Sequence, residues 1–394
     1  MPDWRPLAAE LAWPLTLVIA WTVGEFAQRW IRVPRISAYA VTGFVLSLPQ
    51  VQMIPSVPTT PVLLLVKVAF ALILFEAGYR LNLRWFRANP WMVATSIAES
   101  GLTLWLVSAF CTAQGVGPER ALVVGVLAMA TSPATVVRVV NEGRASGQLT
   151  ERILHLSALN TALAVLVLKV LLGTLQPGAR GVSSAASDTA FVLLGAALTG
   201  MLMGAFVPAV LKAVRRTAQD STVAYALAVL LLVAVNHVLA LSPFVAALTF
   251  GLVSRHRRVF LTPSQRGFGS LGELLAVLLF TFVAVTVEWR HVAAGIGLGL
   301  MIVLVRLAAK AAGTAAFAWL SGTSWMKGAL TGLALAPMSA VLLLVLEESP
   351  ALGLAILDDV AALAAASLMM EMIGPIAVWR ALRWSNEIPE RQEA

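Results

Sequence analysis

The sequence predicts an all-α polytopic membrane protein of about 13 transmembrane helices, built as an inverted repeat with two broken helices. Three observations carry that prediction. Hydrophobic residues make up 59% of the 394 and charged ones only 12%, and the mean hydropathy is +0.86, far more apolar than a soluble domain. The apolar residues fall in runs of about 20, the length that crosses a bilayer core. Two of those runs, seven spans apart and therefore opposed in direction, are each interrupted by a proline.

Taken in order, the first run covers 10–28 and ends at Arg29, Arg32 and Arg35. The second, 36–54, is short. The third, 60–80, ends at Arg80, and the fourth is 91–113. The fifth, 118–140, is interrupted at Thr131-Ser132-Pro133, where proline removes a backbone donor and clashes with the preceding turn. The sixth, 152–174, carries Asn160-Thr161 on an otherwise apolar helix. The seventh is 189–212, with Gly200 and Gly204 as a small-residue pair for close packing or a dimer surface. The eighth is 222–240. The ninth, 243–255, is short and, like the second, is read as a span of its own, a re-entrant piece or part of a neighbour. The tenth and eleventh are 269–288 and 292–319. The twelfth, 326–346, is interrupted at Ala336-Pro337-Met338-Ser339. The thirteenth is 353–380.

The net charge of +8 fits membrane orientation better than nucleic acid, because the basic residues sit in short connections. Arg80, Arg84, Arg87, Arg144, Arg215, Arg255, Arg257 and Arg383 fall with the first arginine group on one side. Arg5, Arg120, Arg180 and Arg290 fall on the other. This asymmetry places the N-terminus outside and the C-terminus in the cytoplasm, in a bacterial inner membrane. Residues 1–9 are then a short external N-terminus, 10–384 one transmembrane domain and 385–394 a short cytoplasmic tail. No cleavable signal peptide is expected. The single cysteine, Cys111, lies in an apolar run and offers no disulfide or metal cluster.

Ionisable residues inside a bilayer are costly and mark functional candidates. Lys310, one turn after Arg306, Glu99 in the fourth helix and Glu371 in the last are the clearest, as charge-pairing or proton-carrying groups. Asp358-Asp359 read as an entrance or a solvated helix start. Glu25 and Glu76 read as interfacial partners of nearby arginines. Lys67 and Lys169 lie in apolar helices, and His155 and His237 are interfacial or pH-sensing. Thr131, Ser132, Asn160 and Thr161 offer neutral oxygens and freed carbonyls suited to a dehydrated monovalent cation, or act as polar glue between helices.

Four segments, Pro34–Gly43, Leu74–Asn82, the Thr131-Ser132-Pro133 break and Ser157–Thr161, together resemble the monovalent cation/proton antiporter superfamily, the sodium/hydrogen exchangers. The resemblance implies a sodium/proton antiporter-like fold in which a core bundle moves against a scaffold. It implies proton-coupled antiport of Na+ or K+, a lipid bilayer as surroundings and a homodimer as an open possibility. No nucleic acid, cofactor or resident metal is implied. Two positions depart from the family pattern. Where the family places an ion-binding aspartate this chain has Thr161, which cannot titrate near neutral pH, and Pro337-Met338-Ser339-Ala340 replaces the arginine and glutamate of many electroneutral members. Lys310 matches the basic residue of many electrogenic members. If transport is kept, Glu99 or Glu371 must supply the missing acid. The alternatives are a degenerate antiporter fold serving as a membrane sensor or assembly component, and a carrier for another small solute. No HExxH, phosphate-cradling loop or nucleophile elbow supports an enzyme.

Overall fold

The computed structural model describes residues 5–51, 60–175, 181–213, 218–257, 261, 268–287, 289–339 and 361–389. These residues form helices and connecting turns without strands. That is what a bilayer demands of an open chain, since a helix satisfies its own backbone bonds.

Each expected span is met by a helix. We number them α1 (Arg5–Phe26), α2 (Arg35–Ser47), α3 (Thr60–Arg80), α4 (Leu83–Ala88), α5 (Trp91–Ala113), α6 (Pro118–Met129), α7 (Pro133–Gly143), α8 (Gln148–Leu175), α9 (Val182–Ala213), α10 (Ala218–Val238), α11 (Pro243–His256), α12 (Gly269–Val285), α13 (Trp289–Ala316), α14 (Trp325–Ala334) and α15 (Ala361–Trp384). Among the described residues, seven stretches are long and apolar enough to cross a membrane, the broken pair α6–α7 counting as one. The protein is therefore an integral membrane protein. The short second and ninth spans are separate helices, not extensions of their neighbours. The second half of the twelfth span, the start of the thirteenth and Asp358-Asp359 lie outside the described residues.

Helix ends differ from the sequence reading where local chemistry overrides hydropathy. α1 begins at Arg5, not at residue 10, and runs into a π-helical turn at Ala27–Ile31. Arg32, in the left-handed region at φ 58°, ends that turn by donating its N–H to the Ala27 carbonyl. The stretch after Arg80 reads as a charged loop but contains α4, whose first turn is capped by the Asn82 side chain accepting from the Arg84 N–H.

The helices sort into two bundles. α13 packs against α15, α5 and α14, while α5 also packs on α6 and α8, which gathers both helix breaks into one core. A second bundle forms as α11 packs on α3 and α9, α12 on α2, and α2 on α1. Gly200 and Gly204 serve this second packing: a Cβ on Gly200 would lie 2.2 Å from the Ala246 carbonyl oxygen, so α9 seats directly on α11. The bundles meet where α8 touches α9, α15 touches α2 and α7 touches α3.

One end of that meeting is polar. Arg138 donates to the Gly272 carbonyl (2.9 Å), and the Arg35 N–H donates to the Glu142 carboxylate (3.2 Å). Arg35 also pairs with Glu25 at 2.8 Å and with Glu273. Glu76 is fully buried there, not snorkelling at an interface, and accepts from Asn141 (2.7 Å) and Arg80 (3.1 Å). His155 is likewise buried, stacked on Trp85 and edge-on to Phe86 at ring centroid separations of 4.6 and 4.7 Å. Its Nε2 accepts from the Asn82 N–H (3.0 Å), so the proton sits on Nδ1, which donates to the Glu151 carbonyl (2.6 Å). Both ring nitrogens are committed to a neutral tautomer, a packing role in place of interfacial or sensing chemistry.

Candidate functional site

The first break is set by two neighbouring residues. Ser132 is the N-cap of α7, its hydroxyl accepting from the Thr135 N–H (3.3 Å), and Pro133 takes the first helical position, where its missing N–H costs nothing. Proline here starts a half-helix instead of kinking a whole one. Met129 ends α6, and Ala130 is extended at φ −72°, ψ 144°. The carbonyls from Ala128 to Thr131 consequently lose their helical donors.

Each of those four carbonyls receives a side-chain donor. Arg306 Nε bonds the Ala128 oxygen (2.7 Å), Lys310 Nζ the Met129 oxygen (2.9 Å), Arg306 Nη2 the Ala130 oxygen (2.9 Å), and the Thr161 hydroxyl the Thr131 oxygen. The second break is held against the first. The Ser132 N–H donates to the Pro337 carbonyl (2.9 Å), and the Thr131 hydroxyl to the Leu335 carbonyl (3.2 Å). Arg306 reaches the Leu335, Ala336 and Pro337 carbonyls as well. Its rigid fork of five donors suits this many acceptors in a way a lysine cannot. Sequence reasoning missed this role of Arg306; its only trace there was the one-turn spacing from Lys310.

Beside the crossing, a buried ion pair joins α5 to α13. Lys310 Nζ bonds Glu99 Oε1, and both side chains have no exposure. Gly313 permits the approach, because a Cβ there would lie 2.6 Å from Glu99 Cα. The other carboxylate oxygen, Oε2, accepts from Asn160 Nδ2 (2.7 Å) and from the Ser100 hydroxyl (3.3 Å). The Ser96 hydroxyl donates to Asn160 Oδ1 (2.6 Å), which leaves that amide one orientation, with its donors toward Glu99. Thr161 stands one residue on, its hydroxyl within reach of both the Thr131 and Ser157 carbonyls.

The structure thus brings Thr131, Ser132, Asn160, Thr161, Glu99, Lys310 and both breaks, Pro133 and Pro337, to one place, with Arg306 at its centre. Glu371 is buried on α15 apart from this network, and among the described residues it makes no hydrogen bond or ion pair. Also among the described residues, no three His, Cys, Asp or Glu side chains come together as a metal site.

Such an arrangement can hold or exchange one positive charge. A carboxylate, an ammonium and a row of carbonyls lie within a few ångströms, and removal of the ammonium from Glu99 would free an anionic oxygen beside the Met129 carbonyl. An aspartate at 161 would face the Thr131 carbonyl as a second acceptor. Threonine faces it as a donor and closes that position.

Comparison with known proteins bears on the fold and the family. Two structures of the sodium proton antiporter MjNhaP1 from Methanocaldococcus jannaschii match the fold. One, at pH 8, has a TM-score of 0.74 with 98% of this chain and 100% of that chain covered. The other, an electron-microscopy structure, has a TM-score of 0.76 with 96% and 98% covered. Identity is 18% in both. No curated protein matches the chain by sequence. The family model described as "Sodium/hydrogen exchanger, transmembrane" matches residues 15–384, nearly the whole sequence. The chain belongs to the sodium/hydrogen exchanger family.

Proposed function

We propose that the protein is a secondary active transporter exchanging a monovalent cation, Na+ or K+, for protons, with Glu99 and Lys310 as the exchanging pair. One observation carries the reading: the carboxylate that Thr161 lacks is delivered from α5, bonded to Asn160 and salt-bridged to Lys310 at the helix breaks. A cation entering beside the Met129 carbonyl takes the place of the Lys310 ammonium on Glu99. Lys310 then gives its proton to water, and the site's total charge is unchanged by the swap. Return of the proton to Lys310 restores the pair and expels the cation. The bundle of α5–α8 and α13–α15 is the moving part and the α1–α3, α9–α12 bundle the support. The arginine-rich connections support an orientation with the C-terminus in the cytoplasm of a bacterial cell and the N-terminus outside. The protein works there as a monomer or a homodimer.

Proton release tests this directly. Sodium, potassium or lithium added to weakly buffered purified protein should release roughly one proton per chain, and the release should vanish in Lys310→Gln. No release with any of the three ions overturns the reading.

A second reading, a degenerate antiporter fold acting as a membrane sensor or assembly component, draws on the closure of the network. Every polar atom of Glu99, Asn160 and Lys310 named above has a partner inside the protein, and none of the three side chains is exposed. Copurification with an obligate partner, together with no proton release, would favour it.

A further inference from the structure

Glu371 stands outside the network just described, yet its place in the fold is specific. It sits on α15 with 6% of its surface exposed. Gly374, three residues on and on the same helix face, packs directly on the second break: a Cβ there would lie 2.9 Å from Pro337 Cα. Leu368 and Met372, on the adjoining face, cluster with Ala40 of α2 and Ala284 of α12. Glu371 therefore lies at the seam between the bundle that holds the breaks and the bundle opposite. Three hydroxyls on elements that pack around this seam, Ser339, Thr281 and Tyr39, are buried and have no hydrogen-bond partner in the structure.

Among the described residues, few charges face the seam. On α13, Arg306 approaches Met370 (4.0 Å from Nη1 to Sδ) but is committed to the break carbonyls, and Lys310 is committed to Glu99. On α2, Tyr39 is neutral, and Arg35 lies at the far end paired with Glu25 and Glu273. On α7, Arg138 and Glu142 bond the opposite bundle at that same end, and α14 carries only Lys327 near its start. On α15 itself, Arg380 and Arg383 lie more than two turns away. An ionised Glu371 would have neither counter-charge nor hydrogen bond among the described residues, an arrangement that low-dielectric surroundings do not tolerate.

We propose that Glu371 is a second proton-binding site, a neutral carboxylic acid in the arrangement seen. It gives up its proton to water as carboxylate when α15 moves against α2 and α12. No bond other than O–H changes in that step. The bound proton stands on the geometry alone, whereas its release rests on the transporter reading above.

Infrared spectroscopy of the purified protein at neutral pH reads the protonation directly. A carboxylic acid C=O band should be present, shift on exchange into D2O, disappear in Glu371→Gln and persist in Glu99→Gln. Glu371→Asp, which keeps the acid, should retain a displaced band, so the test holds even if the glutamine variant does not fold. A wild-type protein without the band, or a band that neither variant at 371 alters, overturns the proposal. If the band behaves as expected but neither wild type nor Glu371→Asp exchanges ions, the transporter reading fails and the proton site stands.

Discussion

Replacing Lys310 with methionine should be costly on its own and much less so when Glu99 is replaced as well. The ammonium bonds Glu99 Oε1 and the Met129 carbonyl, and neither side chain is exposed. Lys310→Met leaves an ionised carboxylate supported only by Asn160 and Ser100, with the Met129 carbonyl bare. Breaking a buried pair from one side costs about 3–5 kcal/mol, whereas replacing both charges with uncharged groups of similar volume is close to neutral. Glu99→Gln alone strands the ammonium and should cost a similar amount. The double variant loses mainly the carbonyl's donor, about 1–3 kcal/mol. The coupling between the two sites should therefore reach about 3 kcal/mol. Unfolding free energies from denaturing-detergent titration of the four proteins give that coupling. Losses that simply add, within about 0.5 kcal/mol, would refute the claim that the two groups neutralise each other.

Three further outcomes follow from individual contacts. Arg306→Lys should be among the most damaging changes in the core, at about 3–5 kcal/mol, because one ammonium cannot serve carbonyls on both breaks; a stability equal to wild type in the same titration contradicts this. Glu387→Ala removes a carboxylate that accepts from the Leu149 N–H (2.7 Å), the Thr150 N–H (2.7 Å) and the Thr150 hydroxyl (2.8 Å), so it should cost about 0.5–2 kcal/mol. An unchanged unfolding midpoint would show that the cap is dispensable. His155→Gln should leave the pH profile of transport unmoved, since protonating Nε2 would break its bond from Asn82; a displaced profile would restore a sensing role.

Much of the architecture was legible because a bilayer enforces it. Runs of about 20 apolar residues mark spans, and the first break followed from Pro133, which removes a backbone donor and clashes with the preceding turn. That Ser132 caps the half-helix that Pro133 starts emerged only from the structure. Lys310 and Glu99 stood out because charge at membrane depth has few innocent explanations. That they touch is a property of packing: Gly313 lets α5 and α13 close together, and no spacing in the sequence encodes a contact 211 residues apart. Arg306 was illegible for the same reason, its acceptors being backbone carbonyls that carry no sequence signature. Glu387 escaped notice because a carboxylate in a polar tail reads as solvated, whereas this one reaches back to cap the helix that carries Asn160 and Thr161. α4 is too short for a periodic signal, and its charges masked the aromatic pair that holds His155.

The central claim is that Glu99, not a residue at 161, carries the exchange. The measurement that tests it most directly uses tight proteoliposomes containing a pH dye, an imposed proton gradient, and sodium, potassium or lithium added outside. Wild type should dissipate the gradient only when at least one of these cations is present, Thr161→Val should retain that activity in part, and Glu99→Gln should lose it. Cation-dependent dissipation that survives in Glu99→Gln, or a wild type silent to all three cations in vesicles proven tight, would contradict the account.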